Sequence, residues 1–423
     1  MKNNIIKPEL ASGFRDYLPE EMIPRQEIMD TIRAVFERFG FAPLETPIIE
    51  KEKILTGGDA EFNKQIFRIA SNKKDKKEDV SGLALRFDLT VPLARVVASN
   101  STLSRPFKRY QMGKVFRAES AQMGRYKEFM QCDADIVGSE SVMADAEVIA
   151  LVYETLIALG ISDFTIKIND RKVLNEVFSK AEVPAGKSDA VLRIIDKLDK
   201  IGGKGVEKQL SELLGGRTTE KVLAGLKNIS SDSFGRISKD LSYLGIPESM
   251  WAVDSNIARG LGYYTGIVFE TILNDMPEIG SVCSGGRYDG LVEKFSKDKV
   301  PAVGMSIGID RLFVALEKLN KIKKKQTVAD VLVLNFDSIC EERVQNVASN
   351  LRKNGIKTEI YLGRENTFKG QLSYAVSREY PVVVIIGPKE LAKNVAQVKD
   401  MKAREQKEVA FNSVVETVKG LIG

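Results

Sequence analysis

The stretch Ile257–Glu270, IARGLGYYTGIVFE, decides the reading of this chain. Gly260, Gly262 and Gly266 are interleaved with Arg259, Tyr263 and Tyr264 ahead of the apolar run Ile267, Val268 and Phe269. A glycine-punctuated segment followed by apolar, β-favouring residues predicts a turn feeding a buried strand. Glycine lets backbone approach a ligand closely, and the planar fork of arginine suits a carboxylate or phosphate. Alone, the stretch fits equally a structural arginine at a strand start with tyrosines in a core. Two glycine-rich stretches downstream, GGRYDG at Gly285–Gly290 and GMSIGIDRL at Gly304–Leu312, turn the reading toward a ligand site.

Length and composition set the bounds. A chain of 423 residues has room for two or three domains and a large core. Its 43% hydrophobic and 29% charged residues are those of an ordinary globular protein. A net charge of +5 permits a polyanionic partner without demanding one, so any nucleic acid has to be argued from motifs. The first residues, MKNNIIKPEL, show neither an apolar signal core nor an Arg/Ser-rich amphipathic pattern, and no apolar run is long enough to span a bilayer. A cytoplasmic protein without a membrane partner is expected. Cys132, Cys283 and Cys340 are widely spaced and unpaired in sequence, so plain buried thiols are expected rather than a disulfide framework or a zinc site.

The chain contains no histidine. That excludes histidine general-base catalysis, Ser-His and Cys-His nucleophiles and histidine metal ligation together. Chemistry has to rest on Arg, Asp, Glu, Gln and Tyr and on groups the substrate brings.

Moving outward, Glu20–Phe39 carries apolar residues at helical spacing and is stopped by Gly40. Phe41–Glu50, FAPLETPIIE, reads as one extended run whose prolines place it at an edge or an interface. Lys73–Asp79 is a charge run expected in a surface loop. In Leu83–Ala94, LALRFDLTVPLA, Asp88 suits an ammonium partner, although a lone acid there equally caps a helix. Phe107–Gly138 reads as strand, loop and strand: YQMGKVFRAE, SAQMGRYKE, FMQCDADIVG. Gln131 and Asp135 fall on one face of the second strand, where polar groups are costly unless partnered.

Met143–Leu159 is an amphipathic helix and Phe164–Asp170 a strand. From there to Pro247 helical patterns dominate, including Ser188–Lys200 and Val206–Leu214. Gly186-Lys187-Ser188 is not a phosphate loop, because Ala181 stands where glycine is required and no strand precedes it. After the lysine-rich exit Lys318–Lys325, strands are expected at Val328–Phe336, Ile356–Leu362 and Val382–Gly387, with helices at Glu341–Asn354 and Phe368–Glu379 between them. That alternation predicts a small α/β domain with a largely parallel sheet.

Together these stretches resemble histidyl-tRNA synthetases, members of the class II aminoacyl-tRNA synthetases, over nearly the whole chain. The resemblance implies a multidomain protein mixing α/β and α+β parts. An antiparallel-sheet catalytic core spans residues 1–325 with a helical insertion at about 171–247, and an α/β anticodon-binding domain spans 326–423. It implies ATP-dependent attachment of L-histidine to tRNA(His) through an adenylate, with Mg2+, by a homodimer built around Pro47. Asp88 and Thr90 would hold the substrate amino group, and Arg117 would bridge its carboxylate and the α-phosphate of ATP. Glu119 would read the adenine amino group, Phe129 stack on the base, and Arg125, Tyr126 and Arg311 serve the ATP side. Gln131, Asp135, Tyr263, Tyr264 and Tyr288 would face histidine, with Asp135 accepting a ring N–H and Tyr264 meeting the other ring nitrogen. Arg259 and Arg117 would stabilise the reacting charges. The chain departs from its relatives at Ser120, Ala121, Met123 and Met130, and has Gly262 where they usually carry Asp. Two other readings share this core: a catalytically inactive regulatory subunit of ATP phosphoribosyltransferase, and a sensor of uncharged tRNA.

Overall fold

A computed structural model of the chain describes residues 6–57, 63, 65–70, 80–118, 126–229, 234–257 and 264–422. They divide into two compact units, residues 1–15 with 27–321 and residues 16–26 with 322–423.

The first unit contains β1 (Ala42–Pro43), β2 (Ile49–Lys51), β3 (Phe67–Ala70), β4 (Val80–Leu85), β5 (Phe107–Phe116), β6 (Glu128–Val137), β7 (Phe164–Asp170), β8 (Trp251–Val253), β9 (Ile267–Leu273), β10 (Cys283–Arg287) and β11 (Ala302–Gly308). Eight of them form one sheet in the order β1-β5-β6-β11-β10-β9-β7-β8, antiparallel except for β1 beside β5 and β8 beside β7. A small sheet, β2-β4-β3, stands apart.

Period two sorts the large sheet into two unlike faces. Cys132, Ala134 and Ile136 of β6 lie level with Ile307, Met305 and Val303 of β11, an apolar face against which helix Val142–Ala158 packs. Ser141 starts that helix by accepting a hydrogen bond from the Met143 N–H. The intervening residues Gln131, Asp133 and Asp135 turn to the other face, level with Gly308, Ser306 and Gly304 of β11 and with Gly113, Gln111 and Arg109 of β5.

The single extended run expected over Phe41–Glu50 is instead two short strands, β1 in the large sheet and β2 in the small one. Pro43 and Pro47 lack the N–H a continuous ladder needs, so the chain turns between them. Pro47 is exposed, as are Ile48 and Ile49. The helix expected over Ser188–Lys200 likewise breaks into Ser188–Ile195 and Leu198–Leu214, the second kinked at Gly202, where φ is 69°. These helices share a core of their own with Leu174, Phe178 and Val222, whereas the last helix before β8, Gly235–Tyr243, packs on Val142–Ala158. Lys187 donates its Nζ to the Leu213 carbonyl at 2.7 Å, a helix-end contact.

The second unit has β12 (Val331–Val333), β13 (Thr358–Ile360), β14 (Val382–Ile385), β15 (Val395–Asp400) and β16 (Gln406–Ala410), ordered β13-β12-β14-β15-β16. Only the first three are parallel, and β15 and β16 add an antiparallel hairpin, so the largely parallel sheet expected is corrected to a mixed one. The sequences VAQVKD and QKEVA hide these strands, because one side faces water and breaks up the apolar run. All three cysteines are buried free thiols. Among the described residues no helix is long and apolar enough to cross a membrane.

Candidate active site

The polar face of the large sheet forms the floor of a cavity of about 490 Å³, within the range of small-molecule sites. Close strand packing creates room there for charged side chains. A Cβ on Gly304 would lie 1.9 Å from Asp135 Oδ1 and 3.0 Å from the Ala134 carbonyl oxygen, and one on Gly113 would lie 2.5 Å from Arg86 Nη2, so a side chain at either place would displace a buried charged group. Gly285 is pinched in the same way between the Gly304 carbonyl and the Phe269 ring.

Three buried carboxylates of the sheet face and of the helix start, Asp88, Asp133 and Asp135, meet in this cavity, which buried Asp310 also lines. Asp135 accepts the Tyr288 hydroxyl on Oδ1 and pairs through Oδ2 with Arg109 Nη2 at 2.7 Å. Arg109 is itself fully buried, so neither charge of the pair is left alone in the core. Asp133 takes a hydrogen bond from the side chain of Ser306, whose Oγ accepts Gln131 Nε2 at 2.7 Å, while Asp133 Oδ1 has no partner. Asp88 accepts the Val91 N–H on Oδ1 at 3.1 Å at the start of helix Thr90–Ser99, and its Oδ2 has no partner.

Burial raises the affinity of all three for protons. It lifts Asp88 to about 6 against the Val91 hydrogen bond and the charges of Arg117 and Arg109. Asp133 is lifted to about 7, with Arg109 opposing and Asp135 assisting. Burial also raises Asp135, against Arg109 and the Tyr288 hydroxyl, and pushes up Tyr264, to which the three carboxylates add.

Arginines and aromatic rings also line the cavity, among further acidic, small and aliphatic residues. Arg117 donates Nε to the Phe87 carbonyl at 3.1 Å and holds its guanidinium 5.1 Å from the Phe129 ring centroid. Arg15 donates Nη1 to the Tyr126 hydroxyl at 3.0 Å. The turn from β11 into helix Ile309–Lys318 supplies Asp310, which accepts the Met130 N–H at 3.0 Å, and Arg311, which donates Nη1 to the Ser281 carbonyl at 2.7 Å. The cavity thus combines acids on its floor with arginines and aromatic rings elsewhere in its lining, an arrangement suited to an ammonium and an anion on one ligand.

Asp88, Thr90, Arg117, Tyr126, Phe129, Gln131, Asp135, Tyr264, Tyr288 and Arg311 are all brought to this one cavity from stretches far apart in sequence. Glu119, Arg125, Arg259 and Tyr263 lie outside the described residues, as do Ser120, Ala121, Met123, Gly262 and the charge run Lys73–Asp79. Pro47 does not line the cavity. Tyr288, expected to face the ligand, gives its hydroxyl to Asp135 Oδ1, while Asp135 Oδ2 lies in ion-pair range of Arg109 but accepts no hydrogen bond. Asp133, Ser306, Arg109 and Asp310 were not anticipated. The spacing that singled out Gln131 and Asp135 passes through Asp133, so period two carried that signal.

Comparisons with known proteins agree with this architecture. The family model described as Histidyl-tRNA synthetase matches residues 13–312, and that described as Anticodon binding domain matches residues 330–421. The histidine–tRNA ligase of Wolinella succinogenes is 43% identical over 95% of this chain and 96% of its own length. That of Clostridium tetani is 41% identical over 99% of this chain and all of its own length. The crystal structure of histidyl-tRNA synthetase from Nostoc sp. PCC 7120 superimposes with a TM-score of 0.85 at 33% identity, covering 98% of this chain and all of that one. A Bacillus halodurans structure titled as an ATP phosphoribosyltransferase regulatory subunit/histidyl-tRNA synthetase shares the fold with a TM-score of 0.73 at 24% identity, covering 90% of this chain and 99% of that one. With family model, relatives and solved structure agreeing over nearly its full length, the chain belongs to the histidyl-tRNA synthetase family.

Proposed function

We propose that the chain joins L-histidine to tRNA(His) in two steps at this cavity. The histidine carboxylate attacks the α-phosphate of ATP, forming histidyl-adenylate and diphosphate. The terminal hydroxyl of the tRNA then attacks the acyl carbon and releases AMP. The observation that carries the reading is the polarity of the cavity, with acids on its floor and Arg117 and Arg311 elsewhere in its lining. An amino acid bound to nucleotide phosphates has that polarity. The regulatory-subunit alternative is not favoured, because the relatives similar over nearly the full length are histidine–tRNA ligases.

In this reading Asp88 Oδ2 receives the substrate ammonium, with Thr90 beside it at the helix start. Arg117 bridges the reacting carboxylate and the α-phosphate, Phe129 stacks on the adenine, and Arg311 takes the outer phosphate. Arg259, Glu119 and Arg125 complete the set on the resemblance alone. A carboxylate is already ionised, so the first step needs positioning and charge stabilisation rather than a protein base. In the second step, with no histidine in the chain, a phosphate oxygen of the adenylate is the base. Mg2+ would arrive on the phosphate oxygens of ATP.

The second unit, from about residue 326, reads the anticodon. The exposed Pro47, Ile48 and Ile49 belong to a homodimer contact. Histidine-dependent exchange of pyrophosphate into ATP, followed by charging of tRNA(His), tests the activity. Absence of both from folded protein refutes it.

A further inference from the structure

We propose that Asp310 is a positioning residue for the nucleotide, its carboxylate fixing the span between the ring of Phe129 and the guanidinium of Arg311. The inference rests on the ATP reading above and gives that site a part the resemblance did not name.

The large sheet is incomplete where Asp310 stands. β6 runs from Glu128 to Val137, and β5 stays paired with it over that whole length. On the other side β11 does not: its register ends with Gly308 opposite Gln131, and the next residue, Ile309, already begins a helix. Continued by one step, that register would set Ile309 against Met130. The Met130 N–H, left without a strand partner on that side, donates instead to Asp310 Oδ2 at 3.0 Å. A side chain thus takes the place of one rung of the ladder. It does so with a charged acceptor, which holds an N–H more strongly than a carbonyl does.

What this rung joins is decided one residue away on each side. Phe129 precedes Met130 and lines the cavity, its ring centroid 5.1 Å from the Arg117 guanidinium. Arg311 follows Asp310, donates Nη1 to the Ser281 carbonyl at 2.7 Å and lines the same cavity. In the reading above these two side chains support the adenine and the outer phosphate, the opposite ends of one ligand. At 3% exposure Asp310 meets little competition from bulk water for its contact. Without that contact the end of β6 is laddered to β5 alone, and the separation of Phe129 from Arg311 is no longer set. A misplacement of about 1 Å in groups that orient a reactant costs on the order of 10²-fold.

A role of this kind is felt only by a ligand long enough to touch both supports, because each support still binds its own half. The test measures ATP, adenosine and tripolyphosphate by calorimetry on the full-length wild type, Asp310→Ala and Asp310→Asn, and the KM of ATP and of histidine by pyrophosphate exchange. Asp310→Ala should raise the Kd and KM of ATP about tenfold or more and lower kcat, while adenosine, tripolyphosphate and histidine each change by less than about 2-fold. Asp310→Asn keeps an oxygen acceptor for the Met130 N–H and should return ATP to within about 3-fold of wild type. Should Asp310→Ala fail to fold, Asp310→Glu, one methylene longer, keeps the charge but displaces the rung and should show the same selective loss for ATP. Unchanged ATP binding in folded Asp310→Ala, an equal loss for all the ligands, or an asparagine variant no better than alanine overturns the assignment. If the wild type shows no exchange at all, the activity reading falls, while the ratio of ATP to adenosine binding still decides what Asp310 does.

Discussion

Asp133→Asn should stabilise the ligand-free protein strongly at pH 8 and much less at pH 5. In the fold the carboxyl of Asp133 titrates at about 7, against 3.8 for the ordinary group, because burial disfavours its charge more than Arg109 restores it. The folded state therefore holds this proton more tightly than the unfolded chain does. The resulting stability is complete below about pH 4 and is lost as pH rises to about 7. A displacement of about three pH units at about 1.4 kcal/mol each amounts to about 4 kcal/mol. Asparagine has the shape of the protonated acid and no charge to bury, so at pH 8 it removes the whole cost, while at pH 5, where only part of that stability has been lost, it gains about 1–2 kcal/mol. For a unit of this size about 4 kcal/mol corresponds to a Tm rise of roughly 8 °C. Thermal melts of both proteins without ligand, at pH 5 and pH 8 and one ionic strength, measure it. Asp88 and Asp145, each raised by burial to about 6, lower the wild-type Tm over part of the same range, but they are common to both proteins and cancel. A Tm difference equal at the two pH values, or a destabilised variant at pH 8, would refute the argument.

Gly304→Ala puts a methyl group within 1.9 Å of Asp135 Oδ1 and should cost about 1–3 kcal/mol in stability, with a fall in exchange of about 100-fold, read by melting and by pyrophosphate exchange on the same sample. Asp88→Asn removes the charge meant for the ammonium and should raise the histidine KM about tenfold or more while leaving the ATP KM within about 2-fold; an equal rise in both would deny it that role. A fragment ending at Lys325 should keep histidine-dependent exchange and charge tRNA poorly, and full charging by it would remove the anticodon assignment from the second unit.

The sequence made the site legible wherever a local pattern sufficed. Glycines marked close backbone approach, and Gly285 and Gly304 lie where a Cβ would strike a neighbouring strand or its side chain. Period two identified the face carrying Gln131 and Asp135, and the motif order brought Arg117 and Arg311 to one cavity. The reading failed where periodicity was masked or interrupted. Half-exposed β15 and β16 carry no apolar run that marks them as strands, two prolines split the run at Phe41–Glu50, and the pattern over Ser188–Lys200 continued past a real break between helices.

What the sequence determined by itself is therefore the alternation of faces, the α/β order of the last hundred or so residues, and the motifs by which the chain resembles its family. Only the tertiary structure decided which partners each carboxylate meets. Asp135 and Asp133 differ by two positions on one strand and are chemically identical, yet one meets Arg109 on the neighbouring strand and the Tyr288 hydroxyl, while the other meets Ser306. Those partners come from distant stretches, and a side chain's charge state and remaining hydrogen-bonding capacity follow from such non-local neighbours and from burial, which no local spacing encodes.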